Sequence, residues 1–67
     1  MDISQVAKRS GIAASTLRYY EKKGLIQSVA RHGLKRVFPT NIMQQLALIS
    51  LGQSAGFSLD EIRQMLG

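Results

Sequence analysis

The 67 residues contain no cysteine and no tryptophan, and only one histidine (His32) and one proline (Pro39). Without cysteine there can be no disulfide staple and no thiolate metal site. One histidine is too few to build a metal centre, so neither a metal nor a cofactor is expected. Acidic residues are scarce: four Asp and Glu stand against nine Lys and Arg. No apolar run approaches the ~20 residues of a membrane-spanning helix. The start, Met1-Asp2-Ile3-Ser4, lacks the basic and apolar regions of a signal peptide. These absences lead us to expect a soluble, cytoplasmic protein that does not engage a membrane. No serine nucleophile stands near a histidine and carboxylate pair, and no phosphate loop is present. Asp60 and Glu61, adjacent at a helix start, suit capping better than acid–base chemistry. An enzyme is not expected.

What is present is a basic, half-apolar chain of one-domain size. Hydrophobic residues make up 45% of it, enough for a core. A domain this small buries only roughly 60% of its unfolded surface, so that core is marginal. The net charge of +5 is unevenly placed. Residues 1–36 hold eight basic side chains (Lys8, Arg9, Arg18, Lys22, Lys23, Arg31, Lys35, Arg36) against Asp2 and Glu21. From Val37 to Leu59 there is no charged side chain. The first half is a candidate polyanion surface; the second reads as core and contact surface.

Apolar spacing gives the order of elements. Ile3, Val6 and Ala7 share a helix face, with Ser4 as the expected cap and Gly11 as the stop, for a first helix over about 5–10. After a short connection a second helix runs from about Ala14 to Lys22 or Lys23 and ends at Gly24. Two short helices joined by a tight turn form a helix-turn-helix over about 5–23. Val29 and the Val37-Phe38 pair are the expected strands of a basic hairpin over about 27–38, and Gly33 tolerates the positive φ of its turn. Thr40 is the expected cap of a third helix over about 41–55. Ser58 and Glu61 form a capping box for a fourth helix over about 59–66, with Leu59, Ile62, Met65 and Leu66 on its inner side. The fold expected is mainly α: a winged helix-turn-helix with four short helices and a small two-stranded β-wing between the second and third.

The second helix carries the chemistry. Ser15, Arg18, Tyr19 and Lys22 recur at i, i+3, i+4 and i+7 and share one face. Ala13, Leu17 and Tyr20 fall on another, packed side. A polar, basic, aromatic helix face is suited to a DNA major groove, and the Arg18 fork can bond both acceptors of a guanine. Ser15 lies nearest the helix start, where bases are met. Tyr20 is expected in the core with its hydroxyl reaching the surface. Taken alone, Arg18 and Lys22 would read as a solvated surface with Glu21 pairing locally. The turn before them, the wing after them and the charge asymmetry favour nucleic acid. On the wing, Arg31, Lys35 and Arg36 are candidate phosphate contacts; the bland alternative is a hairpin charged against edge aggregation. The third helix is apolar on two sides. Ile42, Leu46 and Ile49 face one way and Leu48, Leu51 and Ala55 nearly the opposite, so one side needs cover from the fourth helix or from a further segment.

The stretch from Gly11 to Ile26, with Thr16-Leu17-Arg18-Tyr19-Tyr20-Glu21 at its centre, closely resembles the turn and recognition helix of the MerR family. Gly56-Phe57-Ser58-Leu59-Asp60-Glu61-Ile62 is similar to a second signature of that family, and Gly33, Arg36 and Phe38 fit its wing. The spacing of the wing looks most like the redox-sensing branch. The resemblance covers essentially the whole chain. It implies a promoter-binding, homodimeric bacterial regulator that distorts DNA between half-sites, answers to an effector and works with RNA polymerase. By the same likeness Arg18, Tyr19 and Tyr20 are DNA-contacting positions, Arg36 is the wing arginine, and Thr16 bonds a phosphate. It also implies a dimerisation helix and an effector region, absent from this chain. Departures are Ala13 where a serine cap is common, Ser15 at an often basic position, and Ala30 where many members have arginine. The alternative reading is an excisionase-like factor of similar winged fold that bends DNA. A protein-interaction module using the apolar third helix ranks below both.

Overall fold

The computed structural model describes residues 1–33 and 35–66; Leu34, Gly67 and the side chain of His32 lie outside the described residues. The elements are α1 (Ile3–Ser10), α2 (Ala14–Lys22), β1 (Ala30–His32), β2 (Lys35–Val37), α3 (Ile42–Ser54) and α4 (Leu59–Leu66). This is the expected mainly α winged helix-turn-helix, with the two-stranded antiparallel sheet between α2 and α3.

The first helix starts two residues earlier than its pattern suggests. Asp2, not Ser4, is the cap: its carboxylate accepts from the Gln5 amide at 2.9 Å, and the Gln5 side chain accepts from the Asp2 amide at 3.0 Å. A carboxylate at the positive end of the helix dipole satisfies a free amide and adds favourable charge, which a hydroxyl cannot. Ser4 is an exposed residue inside the helix. The third helix likewise has Asn41, not Thr40, at its cap position, and no side chain bonds there. Backbone bonds start it instead, with Ile42 donating to the Pro39 carbonyl and Gln44 and Gln45 to that of Asn41. At α4 the expected reciprocal pair forms: Glu61 donates its amide to the Ser58 hydroxyl at 3.2 Å, and Ser58 donates its own to the Glu61 carboxylate at 2.9 Å.

The strands, three residues each, lie mainly on the charged residues between the expected positions. Ala30 pairs with Val37, Arg31 with Arg36 and His32 with Lys35, so two residues connect the strands and Gly33 takes φ +62°. Val29 falls just outside β1, although its amide donates to the Val37 carbonyl at 2.8 Å. Phe38 leaves the ladder to become a core residue, 1% exposed. The chain start flanks β2 on its other edge. Phe38 donates to the Met1 carbonyl at 2.7 Å, and the Met1 ammonium donates to the Phe38 carbonyl at 3.1 Å. The wing is thus tied down at its base.

One apolar cluster joins these pieces: Ile3 and Val6 from α1, Leu17 and Tyr20 from α2, Leu25 and Ile26 after it, Phe38, and Ile42, Leu46, Ile49 and Ile62 from the last two helices. Ile42, Leu46 and Ile49 line the inner side of α3, as their spacing requires. The other side is uncovered, with Leu48 and Leu51 exposed. On α4, Ile62 is buried and Leu59 partly so, but Met65 and Leu66, expected inside, are exposed. They share the stripe of Ile62, yet past that residue the stripe overhangs a shallow groove lined by Val29, Leu48 and Leu66.

The close approach of α3 and α4 centres on Gly52. A Cβ there would lie 2.8 Å from both Cγ1 and Cδ1 of Ile62. Glycine inside a helix ordinarily costs about 1 kcal/mol relative to alanine, but overpacking a fitted core costs about 1–3 kcal/mol. Gly52→Ala is therefore expected to destabilise, lowering the thermal midpoint followed by circular dichroism by several degrees. A raised midpoint would show that α4 moves aside freely.

Candidate nucleic-acid interface

The second helix is placed by its ends and its buried side. At its start the Ala13 backbone has the extended geometry of a cap, φ −60° and ψ 144°, but no side chain fills the role. Its end is closed by two backbone bonds, from Leu25 to the Tyr20 carbonyl at 2.9 Å and from Gly24 to that of Glu21 at 3.1 Å. This closure needs a left-handed residue, which Gly24 supplies at φ +81°. Leu17 is fully buried and Tyr20 is 8% exposed, both in the shared core. Ala13, expected on the packed side, is exposed because it precedes the first helical turn; Ala14 takes that place against the core.

With Leu17 and Tyr20 inward, Ser15, Arg18, Tyr19 and Lys22 all face solvent, and Tyr19 is 49% exposed. Thr16 is half-buried at the first turn. The structure thus brings four of the candidate residues into one outward row and leaves Tyr20 with its ring in the core. On the wing, Arg31 and Lys35 are exposed.

Arg36 behaves differently. It is half-buried and forms an ion pair with Glu21 at the end of α2. The other oxygen of Glu21 accepts from the Ser28 hydroxyl at 2.7 Å. Partial burial pushes the Glu21 carboxyl upward, but the Ser28 hydroxyl, the Arg36 charge and the Ser28 amide outweigh it, and the pKa lies below its ordinary 4.5. The sequence pattern placed Glu21 among its helical neighbours Arg18 and Lys22. Its true partner is fifteen residues on and depends on how the hairpin folds back, which local spacing does not encode. Lys23 is similarly engaged, 3.1 Å from Asp60 at the start of α4. Among the described residues, Lys8, Arg9, Arg18, Lys22, Arg31 and Lys35, and Arg63 on α4, remain exposed with no carboxylate partner.

A short helix, a tight turn, a second helix with an exposed basic face and a charged hairpin beside it define a winged helix-turn-helix domain. The chain belongs to the MerR HTH family of regulatory proteins, whose family model matches residues 1–67. It is 42% identical over 60 residues to an HTH-type transcriptional activator SoxR homolog of Chromobacterium violaceum, covering 90% of this chain and 40% of that protein. It is 41% identical to the HTH-type transcriptional regulator YfmP of Bacillus subtilis, covering 98% of this chain and 49% of that protein. With the HTH-type transcriptional regulator CueR of Yersinia pestis it shares 35% identity, at 98% and 48% coverage. The chain therefore spans about half the length, or less, of these curated relatives. Among the described residues, no helix is long and apolar enough to cross a membrane.

The uncapped start of α2 predicts that Ala13→Ser stabilises the domain. The backbone is already in cap geometry, so a hydroxyl there gains a free amide at about 1 kcal/mol. A urea midpoint that does not rise would show that the amides of the first turn are satisfied otherwise.

The Glu21 carboxyl gives a pH-dependent prediction. Its folded pKa lies below the unfolded value, so its contribution to stability is present above about pH 4.5 and is lost as pH falls through the lower folded value. Wild type should be more stable than Glu21→Gln at neutral pH, and the gap should narrow as the pH falls below about 4.5. Urea titrations of both proteins at each pH measure it; a gap independent of pH would mean that the charge of Glu21 contributes nothing.

Proposed function

We propose that this chain is the DNA-binding domain of a transcription regulator, with α2 in the major groove of duplex promoter DNA and the wing on the adjacent backbone. The outward row of Ser15, Arg18, Tyr19 and Lys22, on the second helix of a helix-turn-helix, carries this reading. Arg18 reads a base edge, since a guanidinium fork matches the two acceptors of guanine. Ser15 lies at the N-terminal end of the row, where recognition helices meet bases. Tyr19 and Lys22 extend the contact along the groove, and Thr16 bonds a phosphate at the helix start. Tyr20 contributes through its hydroxyl alone, its ring being held in the core. Arg31 and Lys35 grip phosphates from the wing.

In the whole regulator the domain acts as one half of a homodimer and meets RNA polymerase at the promoter, as family membership suggests. A dimerisation helix and an effector region, in this reading, belong to the remainder of such a protein. The exposed Leu48, Leu51, Met65 and Leu66 support the dimer, because they form apolar surface with nothing on it among the described residues. The working compartment is the cytoplasm, and the domain catalyses nothing.

Seven cations, exposed and without a carboxylate partner among the described residues, set an upper bound on phosphate neutralisation. Binding to a mixed-sequence duplex should weaken with salt, with a log–log slope no steeper than about −6 per domain at ~0.9 per phosphate. Against a duplex selected from a random pool, Arg18→Ala should cost about 1–3 kcal/mol more than against the mixed-sequence duplex. Equal losses on both, measured by fluorescence anisotropy, would mean that Arg18 touches only backbone. A salt-independent interaction would sink the DNA reading itself.

A further inference from the structure

Three separated parts of the chain meet at one carboxylate. Glu21 closes the recognition helix, Ser28 lies in the loop after it, and Arg36 is the central residue of β2. Glu21 accepts from the Ser28 hydroxyl at 2.7 Å through one oxygen and pairs with Arg36 through the other. Both charged side chains are largely covered, Arg36 at 25% and Glu21 at 21% exposure. This carboxylate therefore joins the groove-facing helix to the wing. The strand register adds a reason for it. Arg31 and Arg36 are direct cross-strand partners on one face of the ribbon. Like charges placed so repel and oppose pairing; Glu21 offsets the inner one and leaves Arg31 outward.

We propose that Arg36 is a positioning residue that sets the wing against the recognition helix through Glu21 and makes no phosphate contact of its own. The proposal rests on the DNA-binding reading above for its consequence in affinity, but its structural half does not. Were Arg36 to turn to a phosphate, Glu21 would be left half-covered, charged and close to the DNA anion. Held as it is, the pair fixes where Arg31 and Lys35 stand relative to Arg18. The depressed pKa of Glu21 agrees: partial burial raises it, but the Ser28 hydroxyl and the Arg36 charge favour the ionised form and outweigh that.

The two roles for Arg36 give opposite signs for one conservative variant. Glu21→Gln keeps an acceptor for Ser28 and removes a negative charge beside the DNA. If Arg36 is a phosphate contact, Glu21→Gln frees it, and a labelled mixed-sequence duplex binds as tightly as before or more tightly. Arg36→Met then reduces the salt slope by ~0.9. If Arg36 positions the wing, Glu21→Gln weakens binding despite the lost negative charge, roughly three- to tenfold. Arg36→Met weakens it by a similar factor, the double variant is no worse than either single one, and the salt slopes of all four proteins are parallel. Should Arg36→Met fail to fold, the sign for Glu21→Gln decides alone. A second measurement needs no DNA. In the unbound chain, Glu21→Gln should lower the heteronuclear NOE of the Arg31 and Lys35 amides while leaving those of Leu17 and Arg18 unchanged. Unaltered wing amides would overturn the proposal, whereas altered wing amides in Glu21→Gln together with a wild type that binds no duplex would overturn only the DNA reading.

Discussion

The rotation of α2 about its own axis is the constraint on which the rest depends, and Leu17 and Tyr20 fix it. Both are buried in the cluster that also holds Val6, Ile26, Phe38 and Ile42. Turning the helix to present a different face would expose two large side chains, at about 1.5–3 kcal/mol for each apolar residue. It would also bury the Arg18 guanidinium without a partner, which costs more still. A domain of this size is only marginally stable, so such a rotated state is excluded. Ser15, Arg18, Tyr19 and Lys22 face outward because nothing else is compatible with the core behind them. The bonds that close α2, from Leu25 and Gly24, then lead the chain straight back into that core through Leu25 and Ile26.

The polar half is organised by scarcity of negative charge. Residues 1–36 contain only two carboxylates, and both have structural work. Asp2 caps α1, and Glu21 holds Ser28 and Arg36. Neither is left to neutralise the exposed cations, so the basic surface stays available to an anion. The acidic residues of the second half are drawn in as well: Glu61 caps α4 with Ser58, and Asp60 pairs with Lys23. That exposed pair is worth little in stability, but it lies where α4 meets the end of the recognition helix.

Much of this was legible in the sequence because it is local. Helix faces follow from 3.6-residue spacing, so the inner side of α3 and the outward row of α2 could be read directly, as could the Ser58–Glu61 box. What the sequence concealed was of two kinds. Some of it turns on competition between adjacent candidates: Asp2 over Ser4 and Asn41 over Thr40 are choices among good caps, decided by where the backbone first closes a turn. The rest is non-local. The pairing of Glu21 with Arg36 needs the hairpin folded back onto α2. The overhang of Met65 and Leu66 depends on how closely α4 approaches Gly52, and no periodicity carries that distance. The strands were misplaced by a residue or more because Val29 and Phe38 have strong β character, whereas the ladder lies on Arg31, Lys35 and Arg36. Here tertiary position overrode propensity, with Phe38 taken into the core instead.

The six exposed cations of residues 1–36 bear on folding and on binding with opposite signs. Concentrated in one half of a small domain, they repel one another and lower the stability of the compact state. Salt relieves this, because exposed charges further apart than about 8 Å are screened at physiological ionic strength. Salt also removes the gain from releasing counterions when a phosphate backbone is engaged. The domain is therefore under most internal strain where it binds best, and duplex DNA supplies the counter-charge that its own few carboxylates, already committed to caps and to Arg36 and Lys23, do not. A fold that diverted Glu21 to its helical neighbours Arg18 and Lys22 would ease that repulsion at the expense of the outward row's charge. Placing Glu21 under the wing instead uses a carboxylate beside the outward row to hold shape and leaves the charge outside.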